Sequence, residues 1–260
     1  RQVNVGNYRG LILRKTVPEL EQLIERARYY YTQLCADVKF NDTKHTFTFP
    51  SGAKVQFGSL FRTQDKFKYQ GLQYDFIGFD ELTQFTFDEY SYLKSRNRAS
   101  GPGTRVYVRA TGNPGGVGHG WVKKEFVTAG KPFSTIWKKL AVKQPDGTLK
   151  SYWQSKVFVP SSVFDNKKLL ENDPMYLKRL ADRPEAERNA LLYGSWDSFE
   201  GQVFTEFTDD PQHYNDRRFT HVINDFKIPW GWKIIRSFDW GYTRPFSVGW
   251  HAVDNDGRYY

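Results

Sequence analysis

A chain of 260 residues, 39% hydrophobic and 26% charged, holds enough apolar material for one large α/β domain and part of another, which excludes wholesale disorder. Lysine and arginine outnumber aspartate and glutamate by 38 to 29, a net charge of +9 that suits polyanionic partners such as nucleic acid as well as plain solubility. The single Cys35 excludes an internal disulfide framework and a cysteine-based zinc site, the histidines show no HExxH or paired spacing, and no continuous apolar run is long enough to span a membrane.

The opening residues, Arg1 to Gly10, lack an initiator methionine and do not resemble a signal peptide, so a preceding segment is expected. Leu11-Ile12-Leu13 predicts a short buried strand entering a loop at Arg14-Lys15-Thr16. Pro18 falls near the first turn of a helix to about Leu34, with Leu20, Leu23, Ile24 and Ala27 at helical spacing. Alternating runs from His45 to Phe49 and Ala53 to Phe57 flank Pro50-Ser51-Gly52 and predict a β-hairpin. Tyr74 to Phe79 reads as an apolar strand that ends in Asp80-Glu81, followed by a helix from Phe87 to about Arg96. A further strand, Arg105 to Ala110, ends at Thr111-Gly112-Asn113-Pro114, with a helix over about Gly120 to Val127. Strands alternating with helices predict an α/β fold, a mainly parallel sheet with helices on both faces. Such sheets carry their chemistry at the carboxyl ends of the strands, where Arg14, Asp80-Glu81 and Thr111 to Asn113 would converge.

After about Phe133 the pattern changes. Ser134 to Lys143 and Ser151 to Val159 flank a turn at Pro145-Asp146-Gly147, and a helical stretch from Pro174 to Leu192 is interrupted near Arg183-Pro184. Gly194-Ser195-Trp196 and a polar segment from Asp209 to Arg218 follow. A strand from near Trp232 through Asp239, an alternating run from Phe246 to Val253 and a turn at Asp254 to Gly257 predict the opening hairpin of a second domain.

An apolar strand ending in two adjacent carboxylates, Phe76-Ile77-Gly78-Phe79-Asp80-Glu81, suits ATP hydrolysis: one carboxylate can hold hydrated magnesium and the other can orient the attacking water. The same residues fit an ordinary acidic strand end, and Thr111-Gly112-Asn113-Pro114 fits an ordinary turn as well as a γ-phosphate sensor. No GxxxxGK[ST] loop is present, so the chain is either not an ATPase or has its phosphate loop before Arg1. In Phe238-Asp239-Trp240-Gly241-Tyr242, a carboxylate on the first strand of a hairpin suits a two-metal nuclease or a solvated strand end. The pairs Arg96/Arg98, Lys123-Lys124, Lys138-Lys139, Lys167-Lys168 and Arg217-Arg218 fit solvated faces singly and DNA-backbone contact collectively.

The succession FIGFDE, RATGNPGG, LLYGSWDSFEGQVFTEF and RSFDWGYTRPF, from about Leu11 to Trp250, resembles tailed-phage terminase large subunits. The resemblance implies a partial additional-strand P-loop ATPase over 1–192, with its lid from about 133, a linker over 193–229, and the first hairpin of a ribonuclease H-like nuclease over 230–260. It implies that Asp80 binds magnesium, that Glu81 is the catalytic carboxylate, and that Thr111, Gly112 and Asn113 couple hydrolysis to movement. Asp239 would be the first nuclease ligand, for Mg2+ or Mn2+, and Lys68 and Arg62 are the candidates for a basic finger toward a neighbouring subunit's ATP. The implied partners are double-stranded DNA, a small terminase subunit, a portal and further copies in a ring, in the infected host's cytoplasm and transiently at the procapsid. Without a phosphate loop and the remaining nuclease carboxylates, the 260 residues alone are expected to be inactive in both reactions. A helicase-like ATPase and a structural virion protein are the alternatives.

Overall fold

The computed structural model describes residues 2–197, 213–216, 218, 220–240 and 247–260, in two compact units, Arg1–Gln202 and Val203–Tyr260. Residues 198–212 of the expected linker, which include part of the polar segment 209–218, and Gly241 and Tyr242 lie outside the described residues.

The first unit is built on a six-stranded sheet in the order β2-β3-β4-β1-β5-β6, comprising β1 (Arg9–Arg14), β2 (Lys39–Asn41), β3 (Thr46–Thr48), β4 (Lys54–Ser59), β5 (Phe76–Phe79) and β6 (Tyr107–Ala110). β1 is central and runs parallel to both β4 and β5, and β6 is parallel to β5; β2 and β3 add an antiparallel edge. The strand period of two explains the apolar run Leu11-Ile12-Leu13, because a central parallel strand is covered on both faces. Leu11 and Leu13 join Ile77 and Phe79 in one core, while Ile12 packs with Val55 and Phe57 in the other.

Helix α1 (Val17–Leu34) covers the second of these faces with Leu20 and Ile24, each contributing on the order of 1.5–3 kcal/mol by burial. It starts where the sequence places it: Pro18 sits in the first turn, and the Thr16 N–H donates to Glu19 Oε2 at 3.1 Å. Helix α2 (Phe87–Lys94) covers the other face with Tyr90 and Leu93. Its capping box is reciprocal, Glu89 N–H to Thr86 Oγ1 at 3.2 Å and Thr86 N–H to Glu89 Oε2 at 2.9 Å. Glu89 is fully buried, and both its oxygens also accept from Lys15 Nζ, at 2.8 and 2.9 Å. A helix cap thereby becomes an anchor for the loop that leaves β1.

β2, the segment after β6 and a helix at Lys167–Asn172 differ from the sequence expectation. β2 is an addition, since a three-residue edge strand has too little periodicity to read; Phe40 holds it by packing on Phe47 at 4.3 Å between centroids. The helix expected over Gly120 to Val127 is a short α3 (His119–Val122) that widens into a π-turn over Lys123–Val127, closed by Thr128 N–H to the Lys123 carbonyl at 2.9 Å. An extra helix, α4 (Lys167–Asn172), precedes α5 (Tyr176–Ala181) and α6 (Glu185–Tyr193), and the latter two are separated at Arg183-Pro184 as expected.

β7 (Thr135–Lys143) and β8 (Leu149–Val157) form a long antiparallel hairpin around Gly147, whose φ of 86° only glycine adopts readily. In the second unit β9 (Lys233–Asp239) and β10 (Ser247–Val253) are antiparallel, and Trp232 stacks on Tyr260 at 5.2 Å. Asp254 caps the turn that follows, accepting from the N–H groups of Asp256 at 2.9 Å and Arg258 at 2.8 Å. Among the described residues no helix is long and apolar enough to cross a membrane.

Candidate functional site

Parallel pairing of β1, β5 and β6 brings their carboxyl ends side by side, and the ladder continues one step past each strand. The Asp80 N–H donates to the Leu13 carbonyl and the Thr111 N–H to the Phe79 carbonyl, both at 2.9 Å. The last residue of β1, Arg14, and the first residues beyond β5 and β6, Asp80 and Thr111, therefore meet. Arg14 Nε–H donates to Asp80 Oδ2 at 2.6 Å, and the Thr111 hydroxyl donates to Asp80 Oδ1. One carboxylate is thus clamped between a guanidinium and a hydroxyl, all three half-buried or exposed at the sheet edge.

Glu81 turns away from the strand in the left-handed region, φ 55° and ψ 61°, which costs a non-glycine residue about 1–2 kcal/mol. The next strand end offsets that cost. Leu82 N–H donates to the Thr111 carbonyl at 2.8 Å, while the Glu81 carboxylate accepts from Asn113 twice, from the backbone N–H at 3.2 Å and from Nδ2 at 3.1 Å. Gly112 permits this approach, because a Cβ there would stand 3.2 Å from the Leu82 nitrogen. Gly116 is more demanding: its φ is +79° and a Cβ would lie 2.7 Å from the Thr83 carbonyl oxygen. The loop after β6 consequently lies flat on residues 81–85, tied by Thr83 Oγ1 to the Asn113 carbonyl at 2.8 Å and Gly118 N–H to the Thr83 carbonyl at 2.7 Å.

The same loop is linked to the end of the first unit through a buried histidine. His119 Nδ1 accepts from the Gly115 N–H at 2.8 Å, so the proton resides on Nε2, which donates to the Trp196 carbonyl at 3.0 Å. Burial pushes the His119 pKa below its ordinary value, outweighing the Trp196 hydrogen bond. Above the unfolded value of about 6.5 the ring is neutral in both states; as pH falls below it, the unfolded chain takes up a proton that the folded ring resists. We expect thermal stability to fall as pH drops from 7 toward 5, and replacement by Gln to flatten that decline, measured by melting at fixed ionic strength. An equally steep decline in His119→Gln would remove His119 as its cause.

Arg14, Asp80, Glu81, Thr111, Gly112 and Asn113 are brought together, as the sequence anticipates. Arg62 and Lys68 are not joined to them: Lys68 pairs with Asp65 at 2.8 Å, and the Arg62 N–H donates to the same Asp65. Asp239 belongs to the second unit, exposed at the end of β9 opposite Ser247. Sequence reasoning missed the Asn113 grip on Glu81, the Lys15–Glu89 anchor and His119. Only the Thr-x-x-Glu spacing from Thr86 to Glu89 could have flagged one of them. Among the described residues no three carboxylates, imidazoles or thiolates gather as a metal cage. Asp80 with the Thr111 hydroxyl is instead a small set of hard oxygen donors, which fits a Mg2+ that keeps most of its waters and completes its shell with phosphate oxygens.

The family model for the N-terminal part of the terminase large subunit, T4likevirus-type, matches residues 6–208. No curated protein matches the chain. Among solved structures, the large terminase of a thermophilic bacteriophage in complex with ADP is 17% identical over 95% of this chain and 53% of its own, with a TM-score of 0.48. A second crystal form of that protein is 19% identical over 95% and 53%, with a TM-score of 0.49. The chain spans about half the length of these structures.

Proposed function

The chain belongs to the terminase large-subunit family, and from that premise we propose that it is the motor part of a phage DNA-packaging ATPase joined to the start of its nuclease. The observation that carries this is the clustering of Asp80, Glu81, Thr111 and Asn113 at the carboxyl ends of adjacent parallel strands. Asp80, positioned by Arg14 and Thr111, would hold Mg2+ beside the phosphates of ATP. Bound there, Mg2+ neutralises charge that develops on the transferring phosphoryl oxygens. Glu81 would orient the attacking water and take its proton on a carboxylate oxygen.

Asn113 gives Glu81 a second state. While its two N–H groups occupy the carboxylate, that carboxylate is a poorer acceptor for water; when the loop shifts, it is released. Because the loop continues through His119 to Trp196, the same shift reaches the segment leading out of the first unit. This supports a role for Thr111, Gly112 and Asn113 in coupling hydrolysis to movement. Asp239 would be the first ligand of a two-metal, Mg2+- or Mn2+-dependent nuclease. Double-stranded DNA is the proposed substrate of both activities, with a small terminase subunit, a portal and further copies of the chain as assembly partners in the infected cell.

The test is ATP hydrolysis by the full-length gene product, measured with and without duplex DNA. Magnesium-dependent turnover that rises with DNA supports the motor; absence of magnesium-dependent nucleotide binding overturns it.

A further inference from the structure

We infer that the open face of the β7–β8 hairpin is a contact for the sugar-phosphate backbone of double-stranded DNA, made by Trp137, Lys139, Lys143 and Trp153. The inference rests on the DNA-motor function proposed above and gives it a surface.

The register sets Lys139 opposite Trp153, Trp137 opposite Ser155 and Lys143 opposite Leu149. Directly opposed residues share a face and alternate residues return to it, so these side chains stand together. Every residue of that face is exposed, and the two tryptophans are 61% and 62% accessible. A two-stranded hairpin is marginal in water, and large aromatic surfaces left open on it are burial not yet realised. The other face is anchored at its base: Lys156 pairs with Glu125 at 2.9 Å and lies 5.3 Å from the Phe126 ring centroid. One face is therefore fixed to the turn that follows α3, and the opposite one is free.

Its chemistry points to an anion. Ammonium groups, indole N–H groups and the hydroxyls of Ser151 and Ser155 are donors, and no carboxylate stands among them. Asp146, the acidic residue of the hairpin, is engaged at the tip by the N–H and hydroxyl of Thr148 at 2.9 and 2.7 Å. Lys139 and Lys143 have no ion-pair partner among the described residues, and Lys138 and Lys150 add charge from the opposite face. Lys139 and Lys143 are four positions apart, about 13 Å along an antiparallel strand, far enough to reach two separate phosphates of one DNA strand. The indole rings of Trp153, opposite Lys139, and of Trp137, two positions before it, can rest on deoxyribose while their N–H groups donate to phosphate oxygens. A protein partner would have to meet this charge with carboxylates; DNA meets it with phosphates.

The experiment titrates fluorescently labelled duplex DNA with the full-length protein at several salt concentrations, using wild type, Lys139→Gln/Lys143→Gln and Trp137→Ala/Trp153→Ala, each checked for an unchanged melting temperature. The lysine variant is expected to bind roughly tenfold more weakly at low salt, with a log K against log salt slope shallower by about 2. The tryptophan variant should lose affinity with its slope unchanged, and duplex should quench wild-type indole fluorescence more than that of the variant. Equal affinity and slope in all three proteins overturn the inference while leaving the DNA motor intact. Failure of wild type to bind duplex overturns both. Loss of self-association in the tryptophan variant, with DNA affinity unchanged, assigns the face to contacts between copies and also overturns the inference.

Discussion

Glu81→Gln in the full-length protein is expected to lower ATP turnover by about 10²–10⁴-fold, the range for loss of a positioned general base. Glutamine keeps the size and backbone conformation of the residue but cannot take a proton from water. Asp80, Arg14 and Thr111 are untouched, so nucleotide should still bind in the presence of magnesium. The structural cost is small. Asn113 donates from the backbone N–H at 3.2 Å and from Nδ2 at 3.1 Å to the two carboxylate oxygens, and an amide in their place leaves one donor without an acceptor, a loss of about 1 kcal/mol at a half-buried site. Single-turnover hydrolysis and nucleotide binding, measured side by side, separate the two effects. Near-normal turnover would remove Glu81 from the proposed chemistry; loss of binding together with turnover would show that the residue holds nucleotide instead.

Asp239→Ala is expected to abolish cleavage of duplex DNA while leaving ATP turnover unchanged. Asp239 stands exposed at the end of β9, opposite Ser247, so its removal uncovers no core and should leave the melting temperature unchanged. A two-metal mechanism uses carboxylates to fix the ions that activate the nucleophile and stabilise the leaving oxygen, and loss of one ligand disables both roles. Plasmid linearisation and ATP hydrolysis on the same preparation decide the matter. Retained cleavage would reduce Asp239 to a solvated strand end, and joint loss of the two activities would argue against separable sites.

Where one segment carries a strong period, the sequence is sufficient. The continuous apolar run at Leu11 to Leu13 marks a strand covered on both sides, and the spacing of Leu20 and Ile24 marks the covered face of α1. Parallel topology then makes the meeting of Arg14, Asp80 and Thr111 predictable, because strand ends of a parallel sheet share an edge. What the sequence withholds depends on side chains meeting across distance. The His119 imidazole reaches a carbonyl 77 residues away, and Lys15 meets Glu89 across 74. No local pattern encodes either pair. The left-handed backbone at Glu81 is also hidden, since glutamate has no preference for it and tertiary contacts with the following loop impose it. β2 and α4 are too short for a period to emerge from their residues.

The central position of β1 also sets a timetable for synthesis. Its neighbours are β4 and β5, and the pairing that brings Arg14 to Asp80 joins residues 66 apart in sequence. At about 5–20 residues per second the ribosome needs roughly 3–13 s to make that stretch, and until then Leu11, Ile12 and Leu13 have no completed sheet to enter. Helix α1 can form locally within this interval, but the face of the strand that α2 covers stays open until β5 and then α2 emerge. The nascent chain therefore passes through a window in which its most apolar strand is exposed. A chaperone that shields the strand would matter most for yield while residues 14 to 79 are being made, and slow translation over that stretch would lengthen the exposure.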